Sequence, residues 1–323
     1  MDGAAVRMPT SDGMDQQERD RMGFFSWMRR RRPAARERPR PEDVRRVPRS
    51  RVHRPIVLGQ AEITRQLVNP VTISVANRKG GVGKTTTSVN MAAILAYLGH
   101  PVLLVDMDSQ GHSTSGLGVE REAVDVTVLD LLLGEAGVED VLVGTAVDGL
   151  HLLPATVNLS RVSVDLMDHP ERELQLRAAL DPLRNDYDFI IIDTPPSLGL
   201  LTVNSLVASD GVLIPLQCEY FALEGVKDLM GIIRVVSENL NPDLRVEGIL
   251  ITMYETNPLS RTIAREVRDH FGDGVLRTVI PRDRRVAEAQ SMGVPIVSYA
   301  MTSPGCQAYI RATRELRRAH LEP

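Results

Sequence analysis

The chain reads as an α/β protein, a mostly parallel, doubly wound sheet with helices on both faces. Three observations carry that reading. Short apolar runs at 71–75, 102–105, 189–192 and 212–216 alternate with segments of helical period, as strand–helix crossover units require. A glycine-rich turn follows the first run and opens a helix, the order that makes a phosphate cradle. Two of the runs end in aspartates, Asp106 and Asp193, at the strand ends where such a sheet places its ligand.

The run 71–75 opens the sheet. A helix over 84–97 follows, and Gly99 stops it. The run 102–105 is a buried strand that ends in Asp106. Helices near 127–133 and 138–143 lead to a strand at 150–153, and a helix spans 171–183. The strand 189–192 ends in Asp193, and a helix at 200–207 leads to the strand 212–216. A helix over 222–238, a strand over 246–252 and helices at 261–271, 285–291 and 305–320 close the domain. The sequence holds no internal repeat.

With 323 residues, 43% of them hydrophobic, the chain can fill the core of one large domain and still carry an appendage. Cys218 and Cys306 stand far apart with no C-x-x-C spacing, which argues against a disulfide scaffold or zinc ribbon and suits reduced cytosolic thiols. No apolar run approaches the ~20 residues needed to span a bilayer. The stretch 22–28 is too short for a secretory signal and lacks a cleavage site. Charge is divided unevenly: residues 1–55 hold 15 arginines against 8 acids. That arm is therefore +7 and the remainder −11, which together make the net −4. The sequence predicts a disordered Arg/Pro-rich arm over 1–55, a connector over 56–69 and a folded domain over 70–323. Within the arm, Phe24, Phe25 and Trp27 precede four arginines, 29–32. Residues 22–32 are thus candidates for contact with a membrane surface, nucleic acid or a partner protein.

The turn after the first strand reads Arg78-Lys79-Gly80-Gly81-Val82-Gly83-Lys84-Thr85-Thr86. Its glycines let backbone N–H groups converge on phosphate oxygens, and the helix dipole adds positive potential. Lys84 would reach the β/γ-phosphates and the Thr85 hydroxyl would bind Mg²⁺. Only Lys79, Lys84 and Lys227 are lysine among 38 basic residues, so two of the three ammonium groups sit in this loop. Asp106, Asp108 and Asp193 can hold Mg²⁺ through its waters and orient an attacking water.

The loop departs from the usual pattern: its first glycine position holds Arg78, and a second lysine, Lys79, follows. This deviant Walker A motif resembles the ParA/MinD group of dimerising ATPases. The blocks 77–87, 105–118, 188–201, 217–225 and 279–282 are similar to successive blocks of the Soj branch of chromosome-partitioning ParA proteins, over about residues 70–310. The resemblance implies a P-loop NTPase fold and slow ATP hydrolysis with ATP and Mg²⁺ as cofactors. It gives Lys79 contact with the nucleotide of a second copy, and gives the phosphate cradle to Lys84 and the amides of Gly81, Gly83, Thr85 and Thr86. Thr85, Asp106 and Asp193 would serve the metal, Asp108 would position the hydrolytic water, and Pro281 with Arg282 would lie near the adenine.

It also implies an ATP-dependent homodimer that binds DNA without sequence preference, a ParB-like partner that stimulates hydrolysis, and a cytoplasmic, nucleoid-associated location. The family's DNA-contacting arginines are missing at 301–305. DNA contact then falls to Arg311, Arg314 and Arg318, at i, i+3 and i+7 on the last helix with Arg317 at the edge, and to Arg261, Arg265 and Arg268 on an earlier one. A second reading is a MinD-like protein that positions itself on a membrane surface through the N-terminal aromatic/arginine segment.

Overall fold

A computed structural model describes residues 69–220 and 222–321. The expected arm at 1–55, and the connector up to residue 68, lie outside the described residues. Seven strands form one sheet in the order β3-β4-β2-β5-β1-β6-β7. They are β1 (Val71–Val75), β2 (Val102–Asp106), β3 (Val143–Gly144), β4 (Leu150–Leu153), β5 (Phe189–Asp193), β6 (Gly211–Gln217) and β7 (Arg245–Thr252). All adjacent pairs are parallel except β3 with β4. Every residue of β1, β2 and β5 is buried, which is why β2 and β5 are continuously apolar up to their terminal aspartates, while in β1 the buried Thr72 and Ser74 alternate with valine and isoleucine.

Side chains still alternate between two separate cores. Val71, Ile73, Val75, Leu104 and Ile191 pack on one face with helix α1 (Lys84–Tyr97). Leu103, Val105, Ile190 and Ile192 pack on the other. From β1 the chain crosses over to β2 on one side, and later returns to β6 on the other. The crevice at the carboxyl end of β1 is therefore the topological switch point.

The remaining α-helices among the described residues are α2 (His112–Gly116), α3 (Val128–Leu132), α4 (Val138–Val141), α5 (Val162–Asp165), α6 (Gln175–Leu180), α7 (Leu200–Val207), α8 (Ala222–Asn239), α9 (Pro258–Phe271), α10 (Arg284–Ser291), α11 (Ile296–Tyr299) and α12 (Pro304–Arg318). Three sequence expectations need correction. The helix placed at 138–143 ends at Val141, because Val143 and Gly144 pair with Leu152 and His151 as an antiparallel edge strand. The helix placed at 171–183 is regular only over Gln175–Leu180 and tightens to a single 3₁₀ turn at Asp181–Leu183. Pro182 has no N–H to continue the α ladder there. The short α2, α5 and α11 carry too few turns to show a helical period.

The third correction concerns Arg317. It is not at the edge of an exposed stripe but buried, and its Nε donates to His100 Nε2 at 2.7 Å. His100 Nδ1 in turn bonds Asp188 Oδ2 at 2.6 Å, which fixes a neutral imidazole between a guanidinium and a carboxylate. Burial holds the His100 pKa below the ordinary histidine value despite Asp188. Both cysteines are buried and free, and burial pushes the Cys306 thiol up to about 11. No helix among the described residues is long and apolar enough to cross a membrane.

Candidate active site

The site is built on strand ends that the register brings level. Asp106 on β2 faces Asp193 on β5, and Val75 on β1 faces Asp193 from the other side. The loop leaving Val75 therefore starts beside two carboxylates. Gly81 and Gly83 adopt φ of 76° and 88°, the left-handed region that a side chain would strain. A Cβ on Gly80 or Gly81 would meet nothing within 4 Å, so the space beside these two glycines is open. Asn77 sets the loop's entry: its Nδ2 donates to Pro215 O at 2.7 Å and its Oδ1 accepts from Lys79 N at 3.0 Å. Thr252 Oγ1 donates to Val82 O at 2.7 Å and fixes the far side.

Lys84 is 6% exposed, and its Nζ reaches back to Lys79 O at 3.3 Å. Burial pulls its pKa below the ordinary lysine value, while Asp193 and Asp108 push it back up. Asp193 is fully buried. It accepts from Ser88 Oγ at 3.1 Å, from Ser113 Oγ at 2.8 Å and from Thr85. Asp106 accepts from the amide and the hydroxyl of Thr114, each at 2.8 Å, and from Asp108 N at 3.2 Å. Burial raises the pKa of both carboxyls, and the charge of Asp193 raises Asp106 further. Two buried acids that resist ionisation beside a threonine hydroxyl form a hard oxygen donor set. A divalent cation would relieve it, and Thr85, Asp106 and Asp193 fit Mg²⁺. Asp108 is nearly buried on the loop after β2, and its Oδ1 accepts from Gln110 N at 3.0 Å.

The two loop lysines part company. The Lys79 side chain is 36% exposed and pairs with Glu219 at the rim, while its neighbour Arg78 pairs with Asp228. Pro281 and Arg282 come to the end of β7: Pro281 bridges Tyr254, Arg282 N donates to Tyr254 O at 3.0 Å, and its guanidinium pairs with Glu255 at 2.7 Å. Thus Lys79, Gly80, Gly81, Val82, Gly83, Lys84, Thr85 and Thr86 line one loop, with Asp106, Asp108 and Asp193 beside it.

The arginines do not join them. Arg265 and Arg268 are exposed on α9, as is Arg261, and Arg311 and Arg318 are exposed on α12, but Arg314 is half-buried. Sequence reasoning gave no role to Glu219, Ser88, Ser113 or Thr114. The run His112-Ser113-Thr114-Ser115 directly after the Asp108 loop was the one local signal that hydroxyls would serve these acids.

Comparison with known proteins agrees with this geometry. The family model described as an AAA domain matches residues 71–246. The sporulation initiation inhibitor protein Soj of Bacillus subtilis is 48% identical over 245 residues, covering 76% of this chain and 97% of that protein. The chromosome partitioning protein ParA of Myxococcus xanthus is 46% identical over 245 residues, covering 76% and 87%. Among solved structures, cobyrinic acid a,c-diamide synthase from Mycobacterium smegmatis with bound ADP and magnesium aligns with a TM-score of 0.68 at 38% identity, over 77% of this chain and 94% of that one. The cell division ATPase MinD of Pyrococcus furiosus aligns with a TM-score of 0.65 at 28% identity, over 77% and 99%.

Proposed function

The chain belongs to the ParA/Soj family of chromosome-partitioning ATPases, and from that premise we propose that it works as a dimerising switch whose paired form holds DNA. It is an ATP hydrolase with ATP and Mg²⁺ as cofactors. Lys84 and the amides of Gly81, Gly83, Thr85 and Thr86 bind the phosphates, and Asp108 orients the attacking water. Thr85, Asp106 and Asp193 would hold Mg²⁺, which would supply charge neutralisation at the phosphates. Pro281 and Arg282 bound the adenine.

The observation that carries the switch is the division of labour between the two loop lysines. Lys84 is buried against the acids, whereas Lys79 stands at the rim, paired only with the half-exposed Glu219. A surface ion pair of this kind contributes about 0–1 kcal/mol, so a phosphate presented by a second copy can displace Glu219. The γ-phosphate then acts as the differential ligand that favours the pair.

The paired molecule binds DNA without sequence preference through Arg265, Arg268, Arg311, Arg314 and Arg318. A ParB-like partner completes the hydrolytic site, and the protein resides in the cytoplasm on the nucleoid. α12 places Tyr309, Ile310 and Leu316 in the core, so its apolar face is engaged and does not serve as a membrane anchor of the MinD kind.

Light scattering tests the switch. Wild type should double its mass with a non-hydrolysable ATP analogue but not with ADP, and Lys79→Ala should stay monomeric with both. One mass for wild type under both nucleotides would remove the proposal.

A further inference from the structure

Helix α10 meets the active site in more places than any motif indicates. In its last turn, Gln290 Oε1 accepts from the hydroxyl of Thr86, in the first turn of α1, at 3.0 Å. Just past it, Gly293 is packed so closely that a Cβ would stand 2.9 Å from Ser115 O and 3.1 Å from Gly118 Cα. That segment follows the Asp108 loop. At the other end, the α10 cap Asp283 accepts from Gly305 N at 2.9 Å, the start of the arginine-bearing α12, and follows directly on Arg282. One helix is thus gripped by the phosphate-loop helix, the segment after Asp108 and the last helix.

The bond to Thr86 has a chemical consequence. A hydroxyl has one proton, and both a glutamine carbonyl and a phosphate oxygen are acceptors. The threonine Oγ1 lies close to its own backbone N–H, so a phosphate oxygen bound to the Thr86 amide is within reach of its hydroxyl. That proton can serve Gln290 or the phosphate, not both.

We propose that Gln290 is a positioning residue that competes with the nucleotide's phosphate for the Thr86 hydroxyl, so that phosphate binding loosens the last turn of α10. The proposal rests on the reading of 78–86 as the phosphate cradle. Gln290 weakens nucleotide binding by holding Thr86 in the free protein, and its release signals occupancy to α10 and, through Asp283, to α12.

The test is equilibrium titration with ADP and with a non-hydrolysable ATP analogue, alongside steady-state hydrolysis. Gln290→Leu removes the acceptor and should tighten nucleotide binding and lower KM about three- to ten-fold, the range of one net hydrogen bond, with kcat within about two-fold of wild type. Gln290→Glu supplies a charged, stronger acceptor and should weaken binding by a similar factor. In a Thr86→Val background, which keeps the amide but has no hydroxyl, both Gln290 changes should lose their effect.

Unchanged or weakened binding in Gln290→Leu overturns the proposal. Weakened binding is what an amide turned to donate to Thr86 would give. Effects that persist in Thr86→Val overturn it equally. These results leave the cradle intact, since wild type still binds nucleotide. A wild type that binds none would sink the cradle and the sensor together.

Discussion

The phosphate loop and the last helix both carry basic residues at informative spacing, yet the last helix departs from its spacing at Arg317, which is buried. In the loop, chain neighbours are also site neighbours. Glycines at 81 and 83 set the turn, and Lys84, Thr85 and Thr86 follow directly into α1, so these residues stay together whatever the rest of the chain does, while Lys79 turns to the rim. On α12 the arginines at 311, 314, 317 and 318 depend on which face turns inward. Packing against α1 turns Tyr309, Ala312 and Leu316 inward and takes Arg317 with them. A contiguous motif carries its geometry with it. A helical stripe gives only relative angles, and burial of the neighbouring face decides which charges stay in water.

That contrast can be broken at several points. The largest effect belongs to Lys84→Ala, which removes the buried ammonium facing Asp193 and Asp108. It should cost at least about 100-fold in ATP affinity by equilibrium titration, consistent with loss of a charge-assisted bond in a buried site. Near-wild-type affinity would mean that the loop is not the cradle.

Next comes Asp108→Ala. ATP binding should persist within about three-fold while kcat falls by about 100-fold or more, the scale of a lost water-positioning group. Normal turnover would take Asp108 out of the chemistry.

The smallest and most discriminating effect lies on α12. Arg311→Ala with Arg318→Ala should weaken ATP-dependent DNA binding by about ten-fold at low salt, and flatten its salt dependence by roughly two contacts. Arg317→Ala should instead lower the melting temperature by about 4–8 °C with DNA affinity unchanged at low temperature, because it leaves the Nε2 of buried His100 without its donor. If Arg317→Ala acted on DNA and not on melting, the division drawn between the two faces would fail.

The strands β1, β2, β4, β5, β6 and β7 and the helices α1, α7 and α8 were legible because their signals are local: apolar runs of strand length, a glycine stop, and helical period over two or more turns. The two-residue β3 was not. Nothing in Val143-Gly144 distinguishes an edge strand from the frayed end of a helix until β4 lies beside it. The site was legible to the same extent. Asp106 and Asp193 announce themselves by ending apolar runs. Glu219, 140 residues from Lys79, and Gln290, 204 residues from Thr86, have no local signature.

By itself the sequence determined the parallel sheet, the phosphate loop and the three acids beside it, since each follows from backbone preferences and side-chain chemistry within a few residues. Tertiary structure alone decided which partner each of these polar groups received: Glu219 for Lys79, His100 for Arg317, Gln290 for Thr86. The physical reason is that hydrogen bonds and ion pairs act over about 3–4 Å. Chain segments reach that distance only after burial of the apolar faces has set how the helices lie on the sheet.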